Sequence, residues 1–154
     1  ILNNIRSMEN VGSIFRTSDA SGVNKLYLVG ITPAPVDRFG RKNTKLEKSS
    51  LGAENFVEWE RAENLKDLIE KLKKEEFKVV AVEQDKGAVD YRSLKTSKLL
   101  ASSSKLALVF GNEVDGTSSE DLELCDMVVE IPMNGKKESL NVSVSVGVIL
   151  FSIL

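Results

Sequence analysis

Two spacings of apolar residues alternate along this chain. Between Asn10 and Gly22, Val11, Ile14, Phe15 and Ser18 fall on one face at helical spacing, with Asn10 placed to cap the helix and Gly22 to close it. The preceding residues, Ile1 to Ser7, lack a pattern and read as loop. KLYLVG, Lys25 to Gly30, has the dense apolar character of a strand, and a stretch of different character follows. There Pro33, Pro35 and Gly40 oppose a regular element, and Arg38, Arg41, Lys42, Lys45 and Lys48 outnumber Asp37 and Glu47, which predicts a mobile basic loop. Phe56 to Trp59 reads as a short strand. From Asn64 to Glu76, Leu65, Leu68, Ile69 and Leu72 recur at helical spacing with charges elsewhere, an amphipathic helix capped by Asn64. Lys78 to Glu83 and Lys105 to Gly111 are buried-strand patterns, and Asp90 to Ser103 is loop or short helix. After the turn GNEVDG, Ser118 or Ser119 can cap a helix through Leu122 and Leu124, and MVVEI supplies a fifth strand.

Strands alternating with helices predict an α/β domain with a mainly parallel sheet covered by helices on both faces. No internal repeat or low-complexity linker divides the chain, so residues 1–154 are expected to form one domain. A globule of this length buries roughly 68–70% of its unfolded surface and needs no staple. The final segment leaves its element type open. Val142, Val144, Val146 and Val148 alternate with Ser143, Ser145 and Gly147 as in a half-buried strand, whereas the uninterrupted length to Leu154 suits a buried helix.

Composition narrows the chemistry. One cysteine, Cys125, and no histidine exclude a disulfide framework, a Cys/His zinc site and an imidazole base. No metal site is expected. The longest apolar run falls short of the ~20 residues that span a bilayer, and no signal-peptide pattern opens the chain, so a cytoplasmic protein without a membrane partner is expected. The start at Ile1 and the stop within an apolar segment at Leu154 suggest ends trimmed from a longer protein. Net charge is −2, but residues 1–48 carry eight Lys/Arg against four Asp/Glu, and the remainder thirteen against nineteen. Phosphate affinity follows local clusters, so the acidic total leaves room for an RNA-binding face.

Polar residues, glycines and strand ends converge at Asn10 to Arg16, Gly111 to Gly116, and Pro132 to Asn141. Ligands of open parallel sheets sit beyond the carboxyl ends of strands, where the second and third of these places fall. No G-x-G-x-x-G or G-x-x-x-x-G-K-[ST] is present, so a ligand without phosphates, held largely by backbone, fits better than a nucleoside triphosphate. Taken singly, each place has a plainer reading. Arg16 suits a surface ion pair, Asn10, Ser139 and Asn141 suit helix caps, and the glycines suit turns. The strand pattern alone also permits a flavodoxin-like nucleotide-binding domain.

Together the three places resemble the motifs of the SpoU, or TrmH-like, branch of the SPOUT RNA methyltransferases. Asn10, Gly12 and Arg16 match the first motif, Asn-x-Gly-x-x-x-Arg, and LVFGNEVDGTS matches the second through Gly111, Asn112, Glu113 and Gly116. The third is matched in IPMNGKKESLNVSVSVG by Pro132, Met133, Gly135, Ser139, Leu140 and Asn141. The resemblance implies a SPOUT fold whose C-terminal part forms a deep trefoil knot, with the last segment a helix, and a homodimer. It implies an S-adenosylmethionine pocket formed by Leu108, Val109, Phe110, Gly111, Asn112, Glu113, Gly116, Ile131, Pro132, Met133, Ser139, Leu140 and Asn141. The implied reaction is methyl transfer to a ribose 2′-hydroxyl of tRNA or rRNA, with Arg16, Asn10, Ser139 and Asn141 as catalytic residues. A catalytically weak RNA-binding module of the same fold is the alternative. Arg16 would also contact RNA, together with Arg38, Arg41, Lys42 and Lys45 of the basic stretch. Because a guanidinium stays protonated in proteins, Arg16 suits holding a phosphate and stabilising a developing alkoxide better than acting as a base.

Overall fold

The computed structural model describes residues 1–97 and 105–154. Among the described residues, seven strands form one sheet in the order β3-β2-β1-β6-β4-β7-β5, and every pairing between them is parallel. The strands are β1 (Leu2–Asn3), β2 (Lys25–Val29), β3 (Glu58–Ala62), β4 (Phe77–Val82), β5 (Val89–Asp90), β6 (Lys105–Phe110) and β7 (Met127–Glu130). The helices are α1 (Met8–Ala20), α2 (Thr44–Ser50), α3 (Leu65–Lys74), α4 (Ser119–Glu123) and α5 (Val142–Ile153).

Alternation along the central strands sorts the core into two layers. Leu108 and Phe110 of β6 and Val80 of β4 face Val11, Ile14 and Phe15 of α1, Leu46 of α2, and Val146 and Ile149 of α5. Val109, Val79 and Ala81 face the other way, against Leu65, Leu68, Ile69 and Leu72 of α3 and Leu122 of α4. This two-sided burial explains why β4 and β6 read as continuous apolar runs. The expected α/β architecture with helices on both faces is therefore the one observed, and the final segment is a helix.

Several local expectations change. Ile1 to Ser7 is not all loop, because β1 lies inside the sheet, with Leu2 opposite both Leu28 of β2 and Phe110 of β6. Two residues cannot display a periodicity; their strand state comes from partners on either side. The basic stretch ends in α2, capped by Asn43 and anchored by buried Leu46, so its prolines and Gly40 lie before the helix rather than opposing it. β3 begins at Glu58, past the predicted start, and Phe56 is left exposed. Val89–Asp90 pairs with β7, and a 3-10 turn follows over Tyr91–Thr96; the rest of the loop expected up to Ser103 lies outside the described residues from 98 onward.

Gly12 decides how the first motif packs. A Cβ there would collide with the Leu46 carbonyl and the Ser49 side chain, so only glycine lets α1 cross α2 this closely. Among the described residues, no helix is long and apolar enough to cross a membrane.

Candidate active site at the carboxyl edge of the sheet

Since every strand runs the same way, the segments leaving β1, β4, β6 and β7 emerge along one edge. A cavity of about 250 Å³ opens there, between the loop after β6, the end of β4 and the loop after β7. Of the expected cofactor residues, Phe110, Gly111, Asn112, Glu113, Gly116, Ile131, Met133, Ser139 and Leu140 line it. Leu108, Val109, Pro132 and Asn141 do not. Leu108 and Val109 are buried in β6, pointing into opposite core layers, where they support the strand rather than face the cavity.

The loop after β6 is closed on itself. Asn112 and Gly116 exchange backbone hydrogen bonds of 3.3 and 3.0 Å, and the Asn112 Oδ1 accepts from the Val114 and Asp115 N–H groups at 2.8 and 3.1 Å. The Asn112 Nδ2 donates to the Asn4 carbonyl at 2.7 Å, tying this loop to the end of β1. Gly116 has φ +67°, and a Cβ on it would lie 2.6 Å from Glu83 Oε2. Glycine therefore admits both the turn and the neighbouring carboxylate.

Side chains from the three motif regions meet at one residue. The Asn10 amide donates to Glu113 Oε1 at 3.0 Å, while Asn10 Oδ1 accepts from Asn141 Nδ2 at 3.1 Å. Asn10 does not cap α1 as its position suggested. Ser7 does, its hydroxyl accepting from the Asn10 N–H at 3.1 Å, which leaves the Asn10 side chain free to bridge the motifs. Asn141 does cap its helix: its Oδ1 accepts from the Ser143 N–H at 2.8 Å while its amide reaches Asn10. Glu113 also accepts from the backbone N–H groups of Arg6 and Ser7 at 3.0 and 3.3 Å. Partial burial pushes the Glu113 carboxyl up, but the Arg6 N–H, the Asn10 amide and further backbone N–H groups outweigh it and hold it below its ordinary 4.5.

Arg16 stands apart from this cluster. It is on α1, exposed, outside the cavity lining, and has no hydrogen bond or ion pair among the described residues. Arg38, Arg41 and Lys42 lie on the connection from β2 into α2, and Lys45 in the first turn of α2. Arg41 pairs with Asp37 at 2.7 Å and Lys42 with Glu47 at 3.3 Å. Cys125 is half-buried, which pushes its thiol up to about 11, so it offers no thiolate nucleophile near neutral pH.

The structure adds residues that sequence reasoning missed. Glu83 and Gln84 follow β4 directly; Glu83 Oε2 accepts from the Thr117 N–H at 2.9 Å, and Gln84 Nε2 donates to the Glu138 carbonyl at 2.7 Å. They fasten the loops after β6 and β7 to the same strand end. The rule that ligands gather beyond parallel strands would have found them, since both stand at the end of a recognisable strand. Glu130, Val114, Val142 and Ser145 also line the cavity. Among the described residues, its lining therefore holds three carboxylates, those of Glu83, Glu113 and Glu130, and no Lys or Arg. Such a wall disfavours a phosphate-bearing ligand and suits a cationic one.

A parallel α/β sheet with an acidic cavity between the loops after β6 and β7, at the carboxyl ends of its strands, defines a class of ligand-binding α/β domain. Within that class, this chain belongs to the SpoU rRNA methylase family, whose model matches residues 1–151. A tRNA (guanosine(18)-2′-O)-methyltransferase of Aquifex aeolicus (strain VF5) is 33% identical over 148 residues, covering 96% of this chain and 64% of that protein. A TrmH-family relative in Staphylococcus haemolyticus (strain JCSC1435) is 34% identical over 153 residues, 99% of this chain and 56% of its own length. An AdoMet-bound rRNA methyltransferase from Sinorhizobium meliloti superimposes with a TM-score of 0.85 at 29% identity, over 99% of this chain and 53% of that one. The chain thus spans between half and two thirds of the length of the curated relatives described here.

Proposed function

We propose that residues 1–154 form the catalytic domain of an S-adenosylmethionine-dependent enzyme that methylates a ribose 2′-hydroxyl of tRNA or rRNA. The observation that carries this reading is the Glu113–Asn10–Asn141 bridge, which joins the three family motifs at the rim of an acidic cavity. S-adenosylmethionine, when bound, supplies an electrophilic methyl group on a sulfonium. The residues present fit such a ligand: three carboxylates complement its positive charge, no cationic side chain among the described residues lines the cavity, and glycine lets backbone approach closely. Phe110 to Glu113, Gly116, Ile131, Met133, Ser139 and Leu140 would hold it, while Leu108, Val109 and Pro132 support the strand and loop behind them.

Asn10 and Asn141 fix the rim on which the ribose would rest, and Ser139 lines the same cavity. Exposed Arg16, without a partner among the described residues, is available to an RNA phosphate and to the oxygen losing its proton. The reading includes an active homodimer and a deep trefoil knot. Support for the dimer comes from α5, which leaves Val144 50% and Phe151 56% exposed on a helix without a charge. Support for the knot comes from the return of α5 from the loop after β7 to pack on α1, across the strands between them. An RNA substrate would place the protein in the cytoplasm, acting without a metal.

The test combines transfer of labelled methyl from S-adenosylmethionine into RNA, nuclease mapping of the 2′-O-methylated position, and calorimetry with S-adenosylhomocysteine. Arg16→Ala and Arg16→Lys are expected to lose nearly all turnover while cofactor affinity stays close to wild type. Near-normal turnover in either variant removes Arg16 from the chemistry. RNA binding without methyl transfer by the wild type would leave only the catalytically weak module.

A further inference from the structure

The connection from β2 to α2 carries an exposed aromatic residue that the site described above does not use. Phe39 is 68% exposed at the tip of a short hairpin closed by an antiparallel bridge between Val36 and Lys42. Exposing a phenyl ring costs the chain its burial, and nothing within the described residues covers it. The ring is nonetheless held in place. The Asp37 N–H donates to the Arg41 carbonyl at 2.9 Å, and the Gly40 N–H donates to the Asp37 carbonyl at 3.0 Å. The Asp37 carboxylate accepts from the Phe39 and Arg41 N–H groups at 2.8 and 2.9 Å and from Arg41 Nε at 2.7 Å. Guanidinium carbons of Arg38 and Arg41 lie 4.8 and 5.2 Å from the ring centroid. The base of the connection is equally fixed, because buried Thr32 donates to the Leu2 carbonyl and accepts from the Ile5 N–H.

An aromatic ring flanked by two guanidinium groups is the chemistry that takes an unstacked nucleobase, with the arginines reaching its phosphates. A paired base offers no face to such a ring, because its faces are stacked inside the duplex. Location agrees. The connection leaves the carboxyl end of β2, the same edge as the cavity, and only β1 separates β2 from β6. At the usual spacing of neighbouring strands that is roughly 10 Å across the sheet.

We propose that Phe39, with Arg38 and Arg41, is a stacking platform for an unpaired base of the substrate RNA, which selects single-stranded or loop nucleotides over duplex ones. The proposal rests on the RNA methyltransferase reading and names the substrate class for it. It is tested by fluorescence anisotropy with labelled single-stranded RNA and with the same sequence in a duplex, at one fixed salt concentration. Phe39→Ala is expected to weaken single-strand binding about tenfold, with Phe39→Leu nearly as weak because it keeps the volume without the π face. Phe39→Trp is expected to restore binding, with Trp emission quenched by single-stranded RNA beyond any change in the wild type, which carries Trp59. The slope of log affinity against log salt should be unchanged in Phe39→Ala and shallower in Arg38→Gln or Arg41→Gln. Thermal midpoints of the Phe39 variants are expected to match the wild type, since the ring is exposed. Wild-type binding with an unchanged constant in Phe39→Ala, or an equal loss for duplex, overturns the platform alone. Failure of the wild type to bind single-stranded RNA overturns the platform and the parent reading together.

Discussion

Helices α3 and α5 both lie against the sheet, yet they solve the burial problem differently. In α3, Leu65, Leu68, Ile69 and Leu72 are buried while Lys66, Asp67, Glu70, Lys71, Lys73 and Lys74 face solvent. One chain accounts for every residue of it. In α5, Val142, Val146 and Ile149 are buried, but Val144 and Phe151 are half exposed and no charge appears anywhere along the helix. An amphipathic helix needs one apolar neighbour, whereas a helix apolar on all sides needs two. The contrast marks α3 as a scaffold element and α5 as a helix whose apolar outer face is left partly uncovered by the described residues. Because Asn141 and Ser145 belong to the start of α5 and reach the site, covering its outer face would also steady the cavity rim.

The comparison can be broken at α3 first. Leu72 is fully buried, so Leu72→Ala is expected to cost about 2–5 kcal/mol of unfolding free energy in urea titrations. A loss under about 1 kcal/mol would mean that α3 is not the anchor described here. At α5 the expectation is reversed. Phe151→Asp should leave the unfolding of the single chain nearly unchanged but raise a dimer dissociation constant by roughly 30-fold or more in analytical ultracentrifugation. An unaltered association state would separate the exposed face of α5 from any dimer.

A smaller effect is expected at the start of α5. Asn141→Ala removes both the cap and the link to Asn10, for about 1 kcal/mol, and amide exchange should quicken in the first turn of α5 while α3 is untouched. The smallest is a pH effect at Glu113. Its folded pKa lies below the ordinary 4.5, so its contribution to stability is complete above that value and is lost as pH falls through the depressed folded value. Thermal midpoints followed from about pH 6 to about pH 3 should therefore fall less steeply in Glu113→Gln than in the wild type.

Legibility followed burial. The cores of α1, α3, β4 and β6 could be read because each buries a face whose spacing repeats several times. β1 could not, since two residues carry no period and its strand state depends on β2 and β6. α2 was hidden behind the charge of its surroundings, although Asn43 before it is an ordinary cap. At the site, the family motifs named most of the cavity-lining residues, yet they did not separate Leu108 and Val109, which support the strand, from Phe110 and Gly111, which face the cavity. Glu83 and Gln84 were missed because a carboxylate and an amide after a strand are common; their place at a strand end was legible, but the loops folded against them were not.

What the sequence determined by itself is the set of buried faces, the helix capped at Asn64, the alternation of strands and helices, and the three polar clusters at strand ends. Those properties are local: each follows from side-chain chemistry within a few residues. Tertiary structure alone decided that β1 and β6 lie side by side, that Ser7 rather than Asn10 caps α1, and that Asn10 can bridge Glu113 and Asn141, 103 and 131 residues away. Hydrogen-bond partners so distant in sequence leave no trace in local spacing. They exist only once a parallel sheet has brought its strand ends to one edge.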